Sequence, residues 1–382
     1  MRKLHFLLLV FIVLVYSCED TITSFQSTNF IKFFGGGEGS NGASGLVVPG
    51  EGYIFSGYNV LSTGRKQIYA AKTDLYGNIV WDKLFNSDSI QECSIIKQFD
   101  NDNLLLIGSS KVSSTGNSMP FIFKIDMYGD SIWKRSIDVN YNLLIHDFLY
   151  SGDNIFLVGE SYKNSTSLPD TYIAKLNING DLLNSVTKGN VSKSEIFTKV
   201  FIKSNGDLVV FGNSNLSSSV TLVTVNEFKP SSLSVSSRYE EIGAENSQEL
   251  KDVILVNNSY FLLVYESVNN SKHTKIIKLN SDYSKAWETE SISNFEGKSI
   301  TIDTKGILFV AGEHSSQIQF IKIDPDGNAY YGDAVFKTYP GSVGQILNTT
   351  DNGLLIVGST PSVYSNMIQL IKTGSDLYLL KP

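Results

Sequence analysis

The chain has 382 residues, 31 basic and 38 acidic, for a net charge of −7. No run of basic residues breaks that acidic balance, which excludes the electrostatic footprint of a nucleic-acid partner. The only cysteines are Cys18 and Cys93, so stability must come from core burial and sheet pairing rather than from a disulfide framework.

Arg2 and Lys3 form a basic start, and Phe6 to Tyr16 follow as a short apolar stretch. That stretch is too short to span a bilayer but has the length of a secretory h-region. Val15-Tyr-Ser-Cys18 then ends the apolar run in a cysteine followed by Glu19 and Asp20. The pattern resembles a bacterial lipoprotein signal, although the bulky Tyr16 departs from the usual small residue. The resemblance implies a signal peptide over 1–17, lipid attachment at Cys18 and a polar tether over 18–27, with the membrane reached through several acyl chains.

From residue 28 to 382 one pattern recurs about every fifty residues, the signature of stacked supersecondary units. Its first copy is Gly50-Glu-Gly-Tyr-Ile-Phe-Ser-Gly57. Later copies end at Gly108, Gly159, Gly212, Tyr265, Gly312 and Gly358. Each unit divides into four short apolar runs bounded by Gly, Asn, Asp or Ser. In the second unit these are 93–99, 104–108, 121–125 and 131–136. Runs this short and this rich in β-branched and aromatic residues are strands. Only 240–253 invites suspicion of a helix. Cys93, flanked by apolar residues, reads as a buried small hydrophobe.

The third run carries a second marker, Lys-x-Asx, at Lys72-Thr-Asp74, Lys124-Ile-Asp126, Lys175-Leu-Asn177, Lys278-Leu-Asn280 and Lys322-Ile-Asp324. In the fourth unit Thr224 stands for the Lys before Asn226, and the last unit ends Lys372-Thr-Gly374. Gly77, Gly129, Gly180 and Gly327 follow the Asx by three, with Trp81, Trp133, Asn184 and Tyr331 four further on. An Asx side chain that bonds its own backbone, then a glycine free to take positive φ, makes a tight turn. The bulky residue is expected to pack on the returning strand.

Seven units of four antiparallel strands predict an all-β, seven-bladed β-propeller. The run 29–36 resembles a fourth strand yet precedes the first complete unit. It is expected to complete the last blade and remove the free edge, with 377–380 as the competing segment.

The unit from Gly52 to Phe85 resembles repeats of propeller-type lipoproteins and secreted proteins of Bacteroidota and archaea. That resemblance covers nearly all of 28–382 and implies fold and location, not activity. Quinoprotein-type repeats share only the Gly-to-Trp spacing, which makes the envelope propeller of the outer-membrane protein assembly machine an analogue in architecture. Kelch repeats carry a Gly-Gly pair that no unit here shows.

With strands a to d alternating, the a–b and c–d turns share one face, tight and rich in Asx and Gly. The b–c and d–a loops share the other and are longer, which makes that loop face the expected partner surface. Glu160, Glu266 and Glu313, with His314 adjacent, follow the second-strand marker and suggest an acidic rim for a cation, amine or basic peptide. His146 and Asp147 sit inside an apolar first strand, where they could face the channel as an acid/base couple. Asp324-Pro-Asp-Gly-Asn328 lacks the bidentate Glu of a calcium loop and reads as a turn. No catalytic motif, metal-ligand spacing or cofactor motif is visible.

The leading expectation is a lipid-anchored module at the outer membrane, at the cell surface or facing the periplasm, that binds or scaffolds a protein or glycan. The alternatives are a glycan-cleaving propeller enzyme and an envelope-assembly component.

Overall fold

The computed structural model describes residues 28–374 apart from 37, 86–88, 112–116, 138–141, 165–166, 191, 218–219, 240–241, 243–246, 269–270, 331–339 and 362–365. The signal-like segment, Cys18, the tether, Tyr331 and 377–380 lie outside the described residues.

Seven four-stranded antiparallel sheets form a seven-bladed β-propeller. Blades 1 to 6 span 39–85, 90–136, 142–188, 195–239, 248–288 and 296–330 in chain order. Blade 7 takes three strands from 342–372 and its outermost from Phe30–Phe34, which pairs antiparallel with Asn366–Lys372. The ring is therefore closed by the N-terminal strand, as the sequence suggested. No helix occurs among the described residues, and within the suspected 240–253 the residues from Gln248 onward are strand.

The core is not one body. It is seven apolar slabs, each between neighbouring blades, from the slab of blades 7 and 1 round to that of blades 6 and 7. The closing strand contributes Phe30 and Phe34 to its slab, about 2 kcal/mol each when fully buried. The outermost strands are left largely exposed, as in Leu182–Lys188 of blade 3.

The Asx turns form as expected. Asp74, Asp126 and Asp324 each accept two backbone N–H bonds from the turn that follows. Asn177 does the same in blade 3, and Gly77, Gly129, Gly180 and Gly327, three residues after each Asx, have φ of 76°, 81°, 80° and 93°. The bulky residue, however, packs between blades rather than on its own returning strand. A Cβ on Gly129 would meet Trp81 of blade 1 at 2.9 Å, and one on Gly180 would meet Trp133 of blade 2 at 2.8 Å. Trp287 covers Gly327 in the same way, and Phe30 of the closing strand covers Gly77. Each glycine thus serves twice, giving the turn its φ and the next indole its seat.

Blade 4 departs from the marker as read. Its register places Glu227, not Thr224, where Lys72 stands in blade 1, and Lys229 where Asp74 stands. The ion pair under the a–b turn is reversed accordingly: Lys72 meets Glu51, whereas Glu227 meets Lys203. The wedge is exchanged too. Ser237 takes the Trp position, while Tyr283 of blade 5 takes the glycine position at φ 68° and hydrogen-bonds Glu227.

Gly180→Ala is expected to cost about 2 kcal/mol or more in denaturant unfolding, from backbone strain plus the Trp133 contact. In a Trp133→Ala background the penalty should shrink to the backbone part, about 1 kcal/mol. An equal penalty in both backgrounds would contradict the seating of the indole.

Candidate functional site

The innermost strand of every blade skips one residue in its register against strand b. The skips fall at Ala43, Ser94, His146, Thr198, Lys251, Lys298 and Gly344. A β-bulge of this kind sets two residues against one and re-aims the side chains around it. Here the bulge residue and the one after it line the axial channel in every blade, around a cavity of about 240 Å³.

The strand-b glycines of the sequence pattern are the other half of this device. A Cβ on Gly108 or Gly159 would lie 1.9 Å from the carbonyl oxygen of Glu92 or Leu144, and one on Gly212 would lie 2.0 Å from that of Ile196. None of these glycines has positive φ, so their role is space for a bulged backbone. In blade 5 the register gives this place to Val264, not Tyr265. There Asn213 of blade 4 bonds both the amide and the carbonyl of Leu250.

The channel residues also bind blade to blade. Asp147 accepts from the Val200 amide at 3.1 Å and Asp252 from the Ile300 amide at 3.1 Å. Ser44 accepts from the Ile96 amide at 3.3 Å, and Gln345 from the Gly45 amide at 2.9 Å. In each case the residue after a bulge satisfies a strand-a amide of the next blade. Lys97 meets Asp147 at 2.5 Å and Lys199 meets Asp252 at 3.0 Å. Burial alone would raise the Asp147 carboxyl, but Lys97, Lys199 and the Val200 amide hold it below the ordinary carboxylate range. Burial likewise opposes the charge of Lys199, yet Asp252 and Asp147 raise it above an ordinary lysine. The channel wall is uneven: small or neutral on blades 7, 1 and 2, charged on blades 3 to 6.

His146 and Asp147 both line this cavity, but they are partnered separately. His146 Nε2 lies 3.3 Å from Glu160 Oε1, out of line for a hydrogen bond. Tyr162 hydrogen-bonds the same carboxylate, and burial together with that charge pushes its hydroxyl up to about 12. Glu313 accepts from the Val343 amide of blade 7 at 3.1 Å. His314 contacts the Asn294 carbonyl. Glu266 is buried and meets Lys275 at 3.1 Å and Ser291 at 2.5 Å. Because Val264 holds the marker place, Glu266 stands one position further along its strand than Glu160 and Glu313 do on theirs. The three carboxylates therefore occupy unequal heights and have internal partners. Cys93 is buried against Ser56, with burial pushing its thiol up to about 11.

Sequence reasoning missed Lys199, Lys251, Asp252 and Lys298 as channel residues. The available signal was their similar place, 12 to 14 residues before the strand-b marker. The loop face also proves uneven. In blades 5 and 6 strands b and c join through tight links, Val268 pairing with Ser271 and His314 with Gln317. A second hollow of about 280 Å³ opens on this face between blades 6, 7 and 1, lined by Asn41, Glu313, Ser316, Pro340, Gly341, Ser342, Ser359, Thr360 and Asn366.

No protein-family model matches the sequence, and no curated protein matches it. Solved structures do. A streptogramin B lyase superposes with a TM-score of 0.56 at 13% identity, over 90% of this chain and 98% of the other. The extracellular domain of BT4673 from B. thetaiotaomicron gives 0.52 at 9% identity, over 89% of this chain but only 39% of that one. The propeller domain of the Trilobed protease from Pyrococcus furiosus, which has an open velcro topology, gives 0.50 at 11% identity, over 92% and 100%. At these identities the likeness is one of fold alone.

Asp147→Asn is expected to cost about 2 kcal/mol at neutral pH, since it strips a charge that two lysines and an amide share. Because the folded carboxyl titrates below its unfolded value, this contribution is present above about pH 4 and is lost as pH falls through the folded value. The gap between wild type and variant, followed by denaturant unfolding across pH, should narrow below about pH 4. A gap that stays constant down to strong acid would contradict the assignment.

Proposed function

We propose that the protein is a lipid-anchored propeller of the bacterial envelope that binds or scaffolds a protein or glycan through its loop face, with a glycan as the favoured ligand. The observation that carries this reading is the hollow between blades 6, 7 and 1. Among the described residues its lining is amide and hydroxyl with one carboxylate, beside Pro340 and Gly341, and holds no cation and no aromatic ring. Side chains of that kind offer paired donors and acceptors, which suits a polyhydroxylated ligand better than an anionic or apolar one. The anchor rests on the lipoprotein-like segment ending at Cys18. Placement at the outer membrane is part of the same proposal, and proteolysis of whole cells distinguishes surface display from a periplasmic position.

A second reading, a glycan-cleaving enzyme, is favoured by one observation. Glu296 stands directly opposite Glu313 across strands a and b of blade 6, and glycoside hydrolysis generally uses two carboxyls roughly 5–10 Å apart.

Binding of the mature chain to a panel of envelope glycans checks the first reading. Asn41→Ala with Asn366→Ala should weaken the retained glycan at least tenfold while leaving the melting temperature unchanged. Equal binding by wild type and variant, or retention of no glycan, would contradict it. Turnover of that glycan, lost in Glu296→Gln with binding kept, would favour the second.

A further inference from the structure

We infer that the turn-side rim of the outer wall of blades 7, 1, 2, 3 and 4 rests against a phospholipid membrane surface, standing the ring on its turn face and leaving the loop face turned away. This deepens the anchored reading above and rests on it for the tether.

Three features of the molecule meet on that wall. Among the described residues, every exposed large hydrophobic except Leu168 lies on an outermost strand or a c–d turn of these five consecutive blades, and none lies on blades 5 and 6. Tyr128 is 75% exposed, Val80 58% and Leu183 55%, with Ile132, Phe33 and Val235 continuing the arc. Scattered exposed apolar groups need no explanation, but an arc that runs along five neighbouring blades and stops at the other two does.

Cations are interleaved with it. Lys32, Lys83, Arg135 and Lys188 sit on the same strands. Two carboxylates sharing the rim are ion-paired, Asp130 with Lys83 at 2.9 Å and Asp181 with Arg135 at 3.6 Å, while Asp82 accepts from the Tyr69 hydroxyl and Asp74 and Asp126 from their own turn amides. Apolar groups among basic ones are the composition of an interfacial surface.

The chain enters the fold at the same place. The closing strand starts at Phe30 in the outermost position of blade 7 and runs from the turn face toward the loop face, pairing Phe30 with Lys372 and Phe34 with Ile368. Phe30 itself covers the turn glycine Gly77 of blade 1. Eleven residues lie between Cys18 and Phe30, a reach of about 40 Å when fully extended. A lipid at Cys18 would hold this rim near the bilayer, and a tether that short raises the local concentration enough for weak contacts to orient the body.

The test uses the full lipidated chain in phosphatidylethanolamine–phosphatidylglycerol vesicles, with nitroxide labels placed singly at Val80, Leu183 and Leu168. Labels at Val80 and Leu183 should become accessible to oxygen and shielded from an aqueous nickel chelate, while the label at Leu168 stays aqueous. Combining Val80→Glu with Ile132→Glu should return the Leu183 label to water with floatation and melting temperature unchanged. A Leu183 label as aqueous as that at Leu168 would overturn the inference. Shielding without oxygen access would also overturn it, in favour of a protein partner. Should Cys18 carry no acyl mass, the anchor reading fails instead. Floatation of the unlipidated chain with the same vesicles then supports the wall, and its absence refutes it.

Discussion

The structure depends on one close approach: in six of the seven blades the bulged backbone of the innermost strand presses a carbonyl into the space a strand-b Cβ would occupy. Glycine at that place permits the bulge, and the bulge turns two consecutive side chains toward the axis. Repetition around the ring sets the channel's lining. Backbone amides drawn into the channel wall lose ladder partners and need replacements. Side chains of the preceding blade supply several of them, including Asp147, Asp252, Ser44 and Gln345. The device that shapes the channel therefore also ties the blades together.

Much of the scaffold was legible because it depends on local chemistry. Asx turns, positive-φ glycines and alternating apolar runs act over a few residues, and they yielded strand type, blade number and the closing role of the N-terminal strand. What failed to show was chemistry that crosses between blades. The indoles of Trp81 and Trp133 find their seats about one repeat away, on Gly129 and Gly180, and no local pattern marks that partnership. Blade 4 hid its register because its ion pair is reversed and its wedge exchanged, so Glu227 and Tyr283 do the work that Lys and Trp do elsewhere. The marker in blade 5, read from the sequence at Tyr265, lies at Val264 by its pairing with Leu250, because no glycine marks the place there.

The channel shows the same division. Its backbone geometry repeats, yet the paired side chains differ in every blade, from Ala43-Ser44 to His146-Asp147 to Lys251-Asp252. A repeat search finds what is common and passes over these positions. His146 and Asp147 stood out only because two polar residues interrupted an apolar strand. Their partners, Glu160 on one side and Lys97 and Lys199 on the other, come from other strands and blades. The individuality of the molecule lies in those pairs and in the hollow of blades 6, 7 and 1.

The most direct measurement on the central claim compares Gly159→Ala with Gly36→Ala by denaturant unfolding. A Cβ at position 159 would sit 1.9 Å from the Leu144 carbonyl, while one at position 36 meets nothing within 4 Å. Gly159→Ala is expected to lower stability by about 3 kcal/mol or to prevent folding, as overpacking against backbone does, with Gly36→Ala close to wild type. Equal unfolding midpoints for the two variants would contradict the bulge–glycine couple on which the channel is built.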